Sequence, residues 1–376
     1  MAPLNPPASE AVPYTLFTKN ERRWIVAMIA LAGWFSTLSS FIYYPAIPVV
    51  ADDLGSSIAM IDLTVTSYLA VSAIAPAVVG DAADTFGRRP LYAVTLTLYL
   101  AANVGVALQH SAVALLLLRM LQSAGISVAD ATRITTAPSL GPVLGGAFAS
   151  GPGWRWIFWF LAMASGFCLL AMTLALPETH RAYVGNGGTR PARLYRPVVS
   201  RIMRPWKGDR GLKIPPPPCK PPTVPNPIKS LRILSRKDVA VSIMPGSFLY
   251  TVYCCIRASL ATTLMEVYRL NKWQAGLIYL PFGLGAIAST LVSSKWIDHD
   301  YRVVARAHGL PINKVSGDDL LRFPIEQARI RSVFLPTFCA FASVLAYGWL
   351  VDKDTVSNAT CMLVAIVDRI SISRPP

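Results

Sequence analysis

The stretch VVGDAADTFGRRPLYAV places two carboxylates and two arginines between long apolar runs of the chain. Its regularly spaced residues are Gly80, Asp84, Gly87, Arg88 and Arg89. Asp84 and Arg88 have the four-residue spacing of neighbours on one helical face. Gly87 tolerates a positive φ and can end a helix, whereas Gly80 permits a close approach between helices. The stretch therefore predicts a tight turn whose ion pairs break when helices move.

A second polar group lies inside LLLLRMLQSAG, where Arg119 and Gln122 interrupt an otherwise apolar run. An arginine surrounded by hydrocarbon is costly unless it is paired or lines a wet cavity. Arg119 is therefore a candidate functional residue. The alternatives are a structural pairing or a side chain that extends to the membrane surface.

A third group, SLGPVLGGAFA, combines small residues with a proline. Such residues bend a helix and let it pack closely against its neighbours. This reading is compatible with an ordinary helix interface as well as with a functional kink. The residues concerned are Gly141, Pro142, Gly145 and Gly146.

Aromatic and polar residues near the middle of the apolar runs are candidates for lining a cavity. Aromatic faces attract flat cations by about 1–2 kcal/mol when they are desolvated. Tyrosine also concentrates at membrane interfaces for structural reasons, so the assignment stays open. The main candidates are Tyr68, Tyr250 and Arg257, and a wider set adds Tyr43, Tyr44, Gln109 and Tyr253.

The elements that must position these residues are membrane-spanning helices. The chain is 53% hydrophobic and only 15% charged, whereas soluble domains carry about 25% charged residues. Its apolar blocks approach the ~20 residues that a helix needs to cross the hydrocarbon core. We interpret the chain as an all-α integral membrane protein. The blocks are Trp24–Val50, Ile58–Val79, Leu91–Leu108, Ile157–Leu176, Val239–Leu264, Gly276–Val292 and Ser332–Val351.

The order of these blocks predicts four regions. Residues 1–23 form a cytoplasmic tail, and residues 24–176 form an N-terminal transmembrane bundle that is shortened around residues 120–140. Residues 177–238 form a basic, proline-rich linker, which its composition keeps from folding alone. Residues 239–376 form a partial C-terminal bundle.

Charge predicts which side of the membrane each loop faces. Basic loops stay in the cytoplasm, which places the N-terminus, the Arg88 turn and the linker inside and the acidic loop Asp52–Ser57 outside. The net charge of +15 then faces an anionic leaflet, so a lipid bilayer is the expected partner and nucleic acid is not. An enzyme is not expected, because the four histidines show no metal spacing and the chain lacks Gly-x-Ser-x-Gly and a phosphate loop.

These motifs resemble signatures of the major facilitator superfamily. GDAADTFGRRP is similar to its loop between the second and third spans, LLLLRMLQSAG to its fourth-span motif and SLGPVLGGAFA to its fifth-span antiporter motif. DDLLRFPIEQARIR is similar to a loop of fungal drug:proton antiporters of the quinidine-resistance and polyamine type.

The resemblance implies proton-coupled export of small organic cations, drugs or polyamines by alternating access. In that family, residues matching Arg119 and Gln122 serve proton coupling, and those matching Asp84 and Arg88 help to latch the inward gate. The resemblance also implies a monomer without a cofactor. It places the protein in the plasma membrane, with the vacuolar membrane as the alternative.

The chain departs from the family pattern in two places. Only Met120–Leu140 separates Arg119 from the Gly-Pro motif, where the family has most of two helices and a loop. The apolar part Ala359–Val367 is too short to cross a membrane. We therefore expect an incomplete major facilitator fold of about 8–9 spans instead of twelve. The alternative function is a truncated, non-transporting relative from a degraded gene or a faulty gene prediction.

Overall fold

A computed structural model describes residues 18–126, 137–180, 184, 235–268, 271–308 and 334–352. These residues form helices and turns, and they contain no β-strand. Several expectations concern residues outside these ranges. They are the tail before residue 18, the polar stretch 127–136, most of the linker 177–238, the loop 309–333 and the residues after 352.

Eleven α-helices are described, together with a short 3₁₀ turn over Tyr44–Ala46. They are α1 (Lys19–Phe41), α2 (Ile47–Asp53), α3 (Ile58–Phe86), α4 (Arg88–Leu108), α5 (Ala112–Ile126), α6 (Ala137–Ser150), α7 (Arg155–Ala175), α8 (Lys237–Tyr268), α9 (Lys272–Leu277), α10 (Leu280–Ala307) and α11 (Phe334–Asp352).

Local side-chain chemistry determines where several helices begin and end. α1 begins at a capping box, in which Thr18 and Glu21 each accept a hydrogen bond from the other's backbone N–H. Asn271 and Gln274 form the same arrangement at α9. Gly87 separates α3 from α4 with a φ of 90°, a conformation that is strained for residues with a Cβ. The predicted helix end at Gly87 is therefore confirmed.

Five of the helical segments are long and apolar enough to cross a membrane. They are Lys19–Asp53, Ile58–Phe86, Arg88–Leu108, Arg155–Ala175 and Val239–Leu260, and they coincide with five of the seven predicted blocks. Large apolar side chains lie on their outer faces, including Phe167 at 64% exposure and Phe248 at 64%. Such surfaces suit contact with lipid tails and would be costly in water.

The prediction of one continuous block over Gly276–Val292 is wrong. A turn at Ile278 and Tyr279 interrupts the helix, so that the block is divided between α9 and α10. Pro281 occupies an early position of α10, where its missing N–H leaves no intrahelical hydrogen bond unmade. Hydrophobicity alone does not predict this interruption, because the residues on both sides of the turn are apolar.

The fourth-span motif and the antiporter motif each lie on a short helix. α5 has 15 residues and α6 has 14. At 1.5 Å per residue, each is about 20 Å long, which is less than the ~30 Å hydrocarbon thickness of a bilayer.

The chain divides into two compact units. The first unit comprises Met1–Ser36, Leu63–Arg133 and Phe158–Ser230. Its apolar core joins α1, α4, α5 and α7 through Met28, Tyr99, Ile126 and Met172, among others. α4 and α5 pack most closely at Gly125, where an added Cβ would lie 2.6 Å from the backbone nitrogen of Tyr99.

The second unit comprises Thr37–Asp62, Ile134–Ile157 and Leu231–Pro376. Within it, α6 packs against α9, α10 and the 3₁₀ turn. The two units each combine separate stretches of the chain, whereas the predicted bundles at residues 24–176 and 239–376 are continuous ranges. The division into those two bundles stays a prediction.

A pair of glycine substitutions tests the helix packing. We expect Gly125→Ala to destabilise the protein by about 1–3 kcal/mol, because its methyl group would overlap the α4 backbone. Gly80→Ala is the matched control. The prediction that Gly80 permits a close helix approach is wrong, because no described atom lies within 4 Å of its added Cβ, and alanine favours a helix interior. Thermal unfolding in detergent measures both variants. Equal melting temperatures for the two variants would contradict the close α4–α5 contact.

Candidate functional site

The turn at Gly87 is held by a carboxylate from a distant part of the chain. Glu178 Oε1 accepts a hydrogen bond from the backbone N–H of Arg88 at 3.2 Å, and Oε2 accepts one from Arg89 at 3.1 Å. These amides are the first two of α4, where unpaired N–H groups and the helix dipole attract anions. Glu178 is only 2% exposed, so this negative charge is held firmly at the helix terminus.

Arg89 adds a second connection between the same two regions. Its Nη2 donates a hydrogen bond to the backbone oxygen of Thr173 at 2.7 Å. Thr173 lies in the last turn of α7, whose carbonyl groups carry partial negative charge. The start of α4 and the end of α7 are thus joined by a carboxylate on amides and a guanidinium on a carbonyl.

Asp84 pairs with a residue that the sequence did not single out. Its Oδ1 lies 3.6 Å from Nε2 of His180, which gives an ion pair when the imidazole is protonated. The expectation that Asp84 and Arg88 share one helical face is wrong. Gly87 places Asp84 on α3 and Arg88 on α4, so the four-residue spacing no longer describes one helix.

Arg119 lies completely buried in the first unit, at 0% exposure. Its Nη1 donates to Gln122 Oε1 at 2.7 Å, and the guanidinium carbon lies 4.4 Å from the centre of the Tyr68 ring. The face of an aromatic ring is electron-rich and attracts a cation that has lost its water. The two residues expected to serve proton coupling are therefore in direct contact, and the cavity candidate Tyr68 lies against the guanidinium of Arg119.

A chain of hydrogen bonds extends this site to α4. Gln122 Nε2 donates to Asn103 Oδ1 at 2.8 Å, and Asn103 Nδ2 donates to the backbone oxygen of Tyr99 at 2.8 Å. Ser123 Oγ donates to the backbone oxygen of Tyr68 at 2.7 Å. Each amide is thereby held in one orientation, and Arg119 has a fixed position among α3, α4 and α5. We call Arg119, Gln122, Asn103 and Tyr68 the Arg119 network.

The antiporter segment forms close helix contacts in the second unit. A Cβ added at Gly145 would collide with the backbone oxygen of Ile42, and one at Gly141 would lie 3.1 Å from the Ile42 nitrogen. α6 is also close to α9, because a Cβ added at Gly276 would lie 2.9 Å from the Pro142 oxygen and 3.0 Å from the Gly146 Cα. The predicted role of these small residues in close packing is confirmed.

Arg257 is also completely buried, and it lies among aromatic rings of the second unit. Nη1 donates a short hydrogen bond to the hydroxyl group of Tyr253. The guanidinium carbon lies 4.4 Å from the centre of the Phe41 ring and 5.3 Å from that of Tyr279. The Tyr279 hydroxyl donates to the backbone oxygen of Arg257 at 2.7 Å. We call Arg257, Tyr253, Phe41 and Tyr279 the Arg257 cluster.

The remaining cavity candidates have different surroundings. Tyr43 and Tyr44 are buried in and beside the 3₁₀ turn, whereas Tyr250 is 39% exposed. Gln109 does not lie near the middle of a span, as was expected. It follows the last residue of α4, and its Oε1 accepts a hydrogen bond from the Ser111 backbone at 2.6 Å. Its side chain therefore stabilises the turn into α5.

Sequence reasoning missed several residues that the structure places at these sites. Glu178 could have been noticed as a lone acidic residue between an apolar block and a basic linker. Asn103 and His180 carry no comparable signal. Asp53 Oδ2 accepts hydrogen bonds from Trp154 Nε1 at 3.0 Å and Arg155 Nη1 at 2.9 Å, which ties the end of α2 to the start of α7. Within the described ranges, no His, Cys, Asp and Glu residues cluster as metal ligands.

The fold and these motifs are those of a membrane transporter of the major facilitator type. The family profile of the Major Facilitator Superfamily matches residues 29–140 and 134–367, and the chain belongs to this superfamily. A solved bacterial homologue of the human lysosomal transporter Spinster, in an inward-facing and unoccupied conformation, is similar in fold. Its TM-score is 0.55 at 15% identity, over 95% of this chain and 74% of that one.

Curated fungal relatives are also named as transporters. The chain is 35% identical to the MFS-type transporter phiD of a fungal species, over 91% of its own length and 56% of that protein. It is 33% identical to the MFS-type transporter tstD of Talaromyces stipitatus, over 94% and 69%. It is 32% identical to Citrate exporter 1 of Aspergillus niger, over 91% and 70%. The chain thus spans little more than half of phiD. The relatives are named as transporters or an exporter, which agrees with the expectation that the chain is not an enzyme.

The Glu178 contact gives a second prediction. We expect Glu178→Gln to lower stability by about 1–3 kcal/mol, because one charged acceptor at the α4 terminus is lost in a buried place. Hydrogen exchange at the start of α4 should accelerate together with the fall in melting temperature. Glu21→Gln is the control, since Glu21 performs the same capping at an exposed helix start. A Glu178→Gln protein as stable as Glu21→Gln would contradict the buried cap.

Proposed function

We propose that this protein is a proton-coupled antiporter that exports a small organic molecule by alternating access. The observation that carries the proposal is the Arg119 network. A cation fixed at 0% exposure among three helices is costly in an apolar environment and marks functional pathways in membrane proteins. In this proposal, Arg119 changes partners when a proton enters or leaves its neighbourhood, and Gln122 and Asn103 restore its position.

The turn at Gly87 acts as the cytoplasmic latch. The bonds of Glu178 and Arg89 hold α4 against α7, while the Asp84–His180 pair lies beside them. The other proposed gating residues of this turn are Gly80, Gly87 and Arg88. Charge pairs at the membrane boundary can break and re-form as helices move, which is what a gate requires.

The antiporter segment provides a tight seal. Gly141, Pro142, Gly145 and Gly146 let α6 approach its neighbours without intervening side chains. A contact between backbones leaves little room for water or protons to leak through.

Two classes of cargo are candidates. The resemblance to fungal multidrug and polyamine antiporters favours small organic cations or drugs. Similarity to a citrate exporter favours organic anions. The plasma membrane is the proposed location, with the vacuolar membrane second, and the proposed functional unit is a monomer.

A truncated relative without transport activity was the alternative reading of the sequence. It is not favoured, because the relatives described above match 91–94% of this chain. The superfamily profile matches residues 29–140 and 134–367, which together include the residues before and after the Met120–Leu140 segment.

Proton coupling can be tested in proteoliposomes with an imposed pH gradient. We expect Arg119→Gln to reduce gradient-driven flux by at least about tenfold, which corresponds to the loss of one charge-assisted hydrogen bond. Exchange of labelled cargo without a gradient should persist, because only the coupling residue is altered. Arg23→Gln, an exposed arginine at the start of α1, is the control. Flux that survives an uncoupler in the unmodified protein would overturn the proposal.

A further inference from the structure

We propose that Asn103 is a positioning residue for proton coupling, because it turns the Gln122 side-chain amide so that its oxygen faces Arg119. This inference rests on the proposed antiport function and adds a residue to it. The family motif on α5 includes Arg119 and Gln122, whereas Asn103 lies on α4 and outside the motifs described above. Its role follows from the donors and acceptors around it.

The side-chain amide of Gln122 has two orientations that differ in chemistry. Its oxygen only accepts hydrogen bonds and its NH2 group only donates them, and a half-turn of the amide exchanges the two in nearly the same volume. The guanidinium of Arg119 carries donors and no acceptor. An oxygen that faces Arg119 therefore binds it, whereas an NH2 group would leave donors facing each other in a buried place. Only one orientation of Gln122 serves as a partner for Arg119.

The orientation of Asn103 is determined by a backbone group that cannot turn. The carbonyl oxygen of Tyr99, one helical turn earlier on α4, only accepts hydrogen bonds. Asn103 Nδ2 donates to this oxygen at 2.8 Å. The side-chain oxygen of Asn103 must then point away from Tyr99, because a reversed amide would place two oxygens together. The α4 backbone thus sets the direction of the Asn103 amide.

Asn103 transmits this direction to α5. Its Oδ1 accepts a hydrogen bond from Gln122 Nε2 at 2.8 Å, and Gln122 Oε1 accepts one from Arg119 Nη1 at 2.7 Å. Each amide donates on one side and accepts on the other, so all three bonds run in the same direction from Arg119 to the Tyr99 carbonyl. Asn103, Gln122 and Arg119 are all at 0% exposure, where an unsatisfied polar group is costly. The chain of bonds therefore has one favourable direction.

Close packing of α4 and α5 keeps Asn103 and Gln122 within bonding distance. A Cβ added at Gly125 would lie 2.6 Å from the Tyr99 nitrogen and 3.0 Å from the Thr95 oxygen. The two backbones therefore meet beside the residue whose carbonyl sets the direction. In the proposed cycle Arg119 leaves the Gln122 oxygen and returns to it. Asn103 keeps that oxygen in the place to which Arg119 returns.

Nuclear magnetic resonance of the Gln122 side chain tests the orientation apart from transport. The chain has four glutamines, so 15N-glutamine labelling in detergent gives few side-chain amide signals, and the Gln122→Leu spectrum identifies the signal of Gln122. We expect Asn103→Leu to accelerate hydrogen exchange of this amide at least about tenfold, because its acceptor is lost. The signal of Gln274, which caps α9 in the second unit, is the internal control.

A double-mutant cycle separates positioning from support of the fold. Asn103→Leu should reduce gradient-driven flux at least about tenfold, the equivalent of one lost buried hydrogen bond. In a Gln122→Leu background, Asn103→Leu should cause no further fall, since Asn103 acts only through the Gln122 amide. A side chain that merely supports the fold would lower the flux by the same factor in both backgrounds. Thr97→Val, at an exposed position of α4, is the matched control and should leave flux and the Gln122 signal unchanged.

Flux is measured in proteoliposomes with labelled spermidine and labelled citrate, one from each proposed class of cargo. An unchanged Gln122 exchange rate in Asn103→Leu, or equal falls in flux in the two backgrounds, would overturn the positioning role. The absence of gradient-driven flux of both probes in the unmodified protein would overturn the proposed antiport of these cargoes. The Gln122 exchange rate alone would then support or overturn the orientation set by Asn103.

Asn103→Ser decides the matter if Asn103→Leu does not fold. Serine keeps a donor for the Tyr99 carbonyl, because its hydroxyl group bonds the carbonyl one turn earlier in a helix, but it is too short to reach Gln122. A rise of about tenfold in the Gln122 exchange rate supports the proposal, and an unchanged rate overturns it.

Discussion

The cost of placing a guanidinium among apolar helices governs this structure. Arg119 and Arg257 are both fully buried, and each is surrounded by groups that accept its hydrogen bonds or stabilise its charge. Because such partners must come from several segments at once, each arginine fixes the relative positions of the elements around it. α3, α4 and α5 meet at Arg119, whereas α1 and α8 meet at Arg257. The contacts that stabilise the two buried arginines thus also hold the surrounding helices together.

Glycine residues allow the close contacts between helix backbones. Lipid tails give helices no hydrophobic reason to associate, so close contact between backbones has to provide the attraction. Gly125 brings α5 onto α4 in the first unit, and Gly141 and Gly145 bring α6 onto the end of α1 in the second. The four-residue interval between Gly141 and Gly145 places both on one face, which is why a short helix of 14 residues can still pack firmly.

The membrane class and most helices could be predicted because they depend on local composition. A run such as Ile157–Leu176 carries no charged residue, and a charged residue such as Arg119 stands out within an apolar run. The break in Gly276–Val292 could not be predicted from hydrophobicity, since Ile278 and Tyr279 are as apolar as their neighbours. The residue that holds the turn after Gly87 could not be predicted either. Glu178 binds backbone amides about ninety residues away, and no side-chain pattern in the sequence encodes such a contact.

The Glu178 contact also bears on how this turn can change over evolutionary time. Its carboxylate holds the N–H groups of residues 88 and 89, and every amino acid except proline supplies that group. The side chain at position 88 is exposed, so any substitution there except proline leaves the hydrogen bond from the backbone N–H to Glu178 in place. Position 89 is constrained separately through its bond to the Thr173 carbonyl. Two adjacent arginines that look equivalent in the sequence thus differ in their contacts, because only the Arg89 side chain has a described bond across to α7.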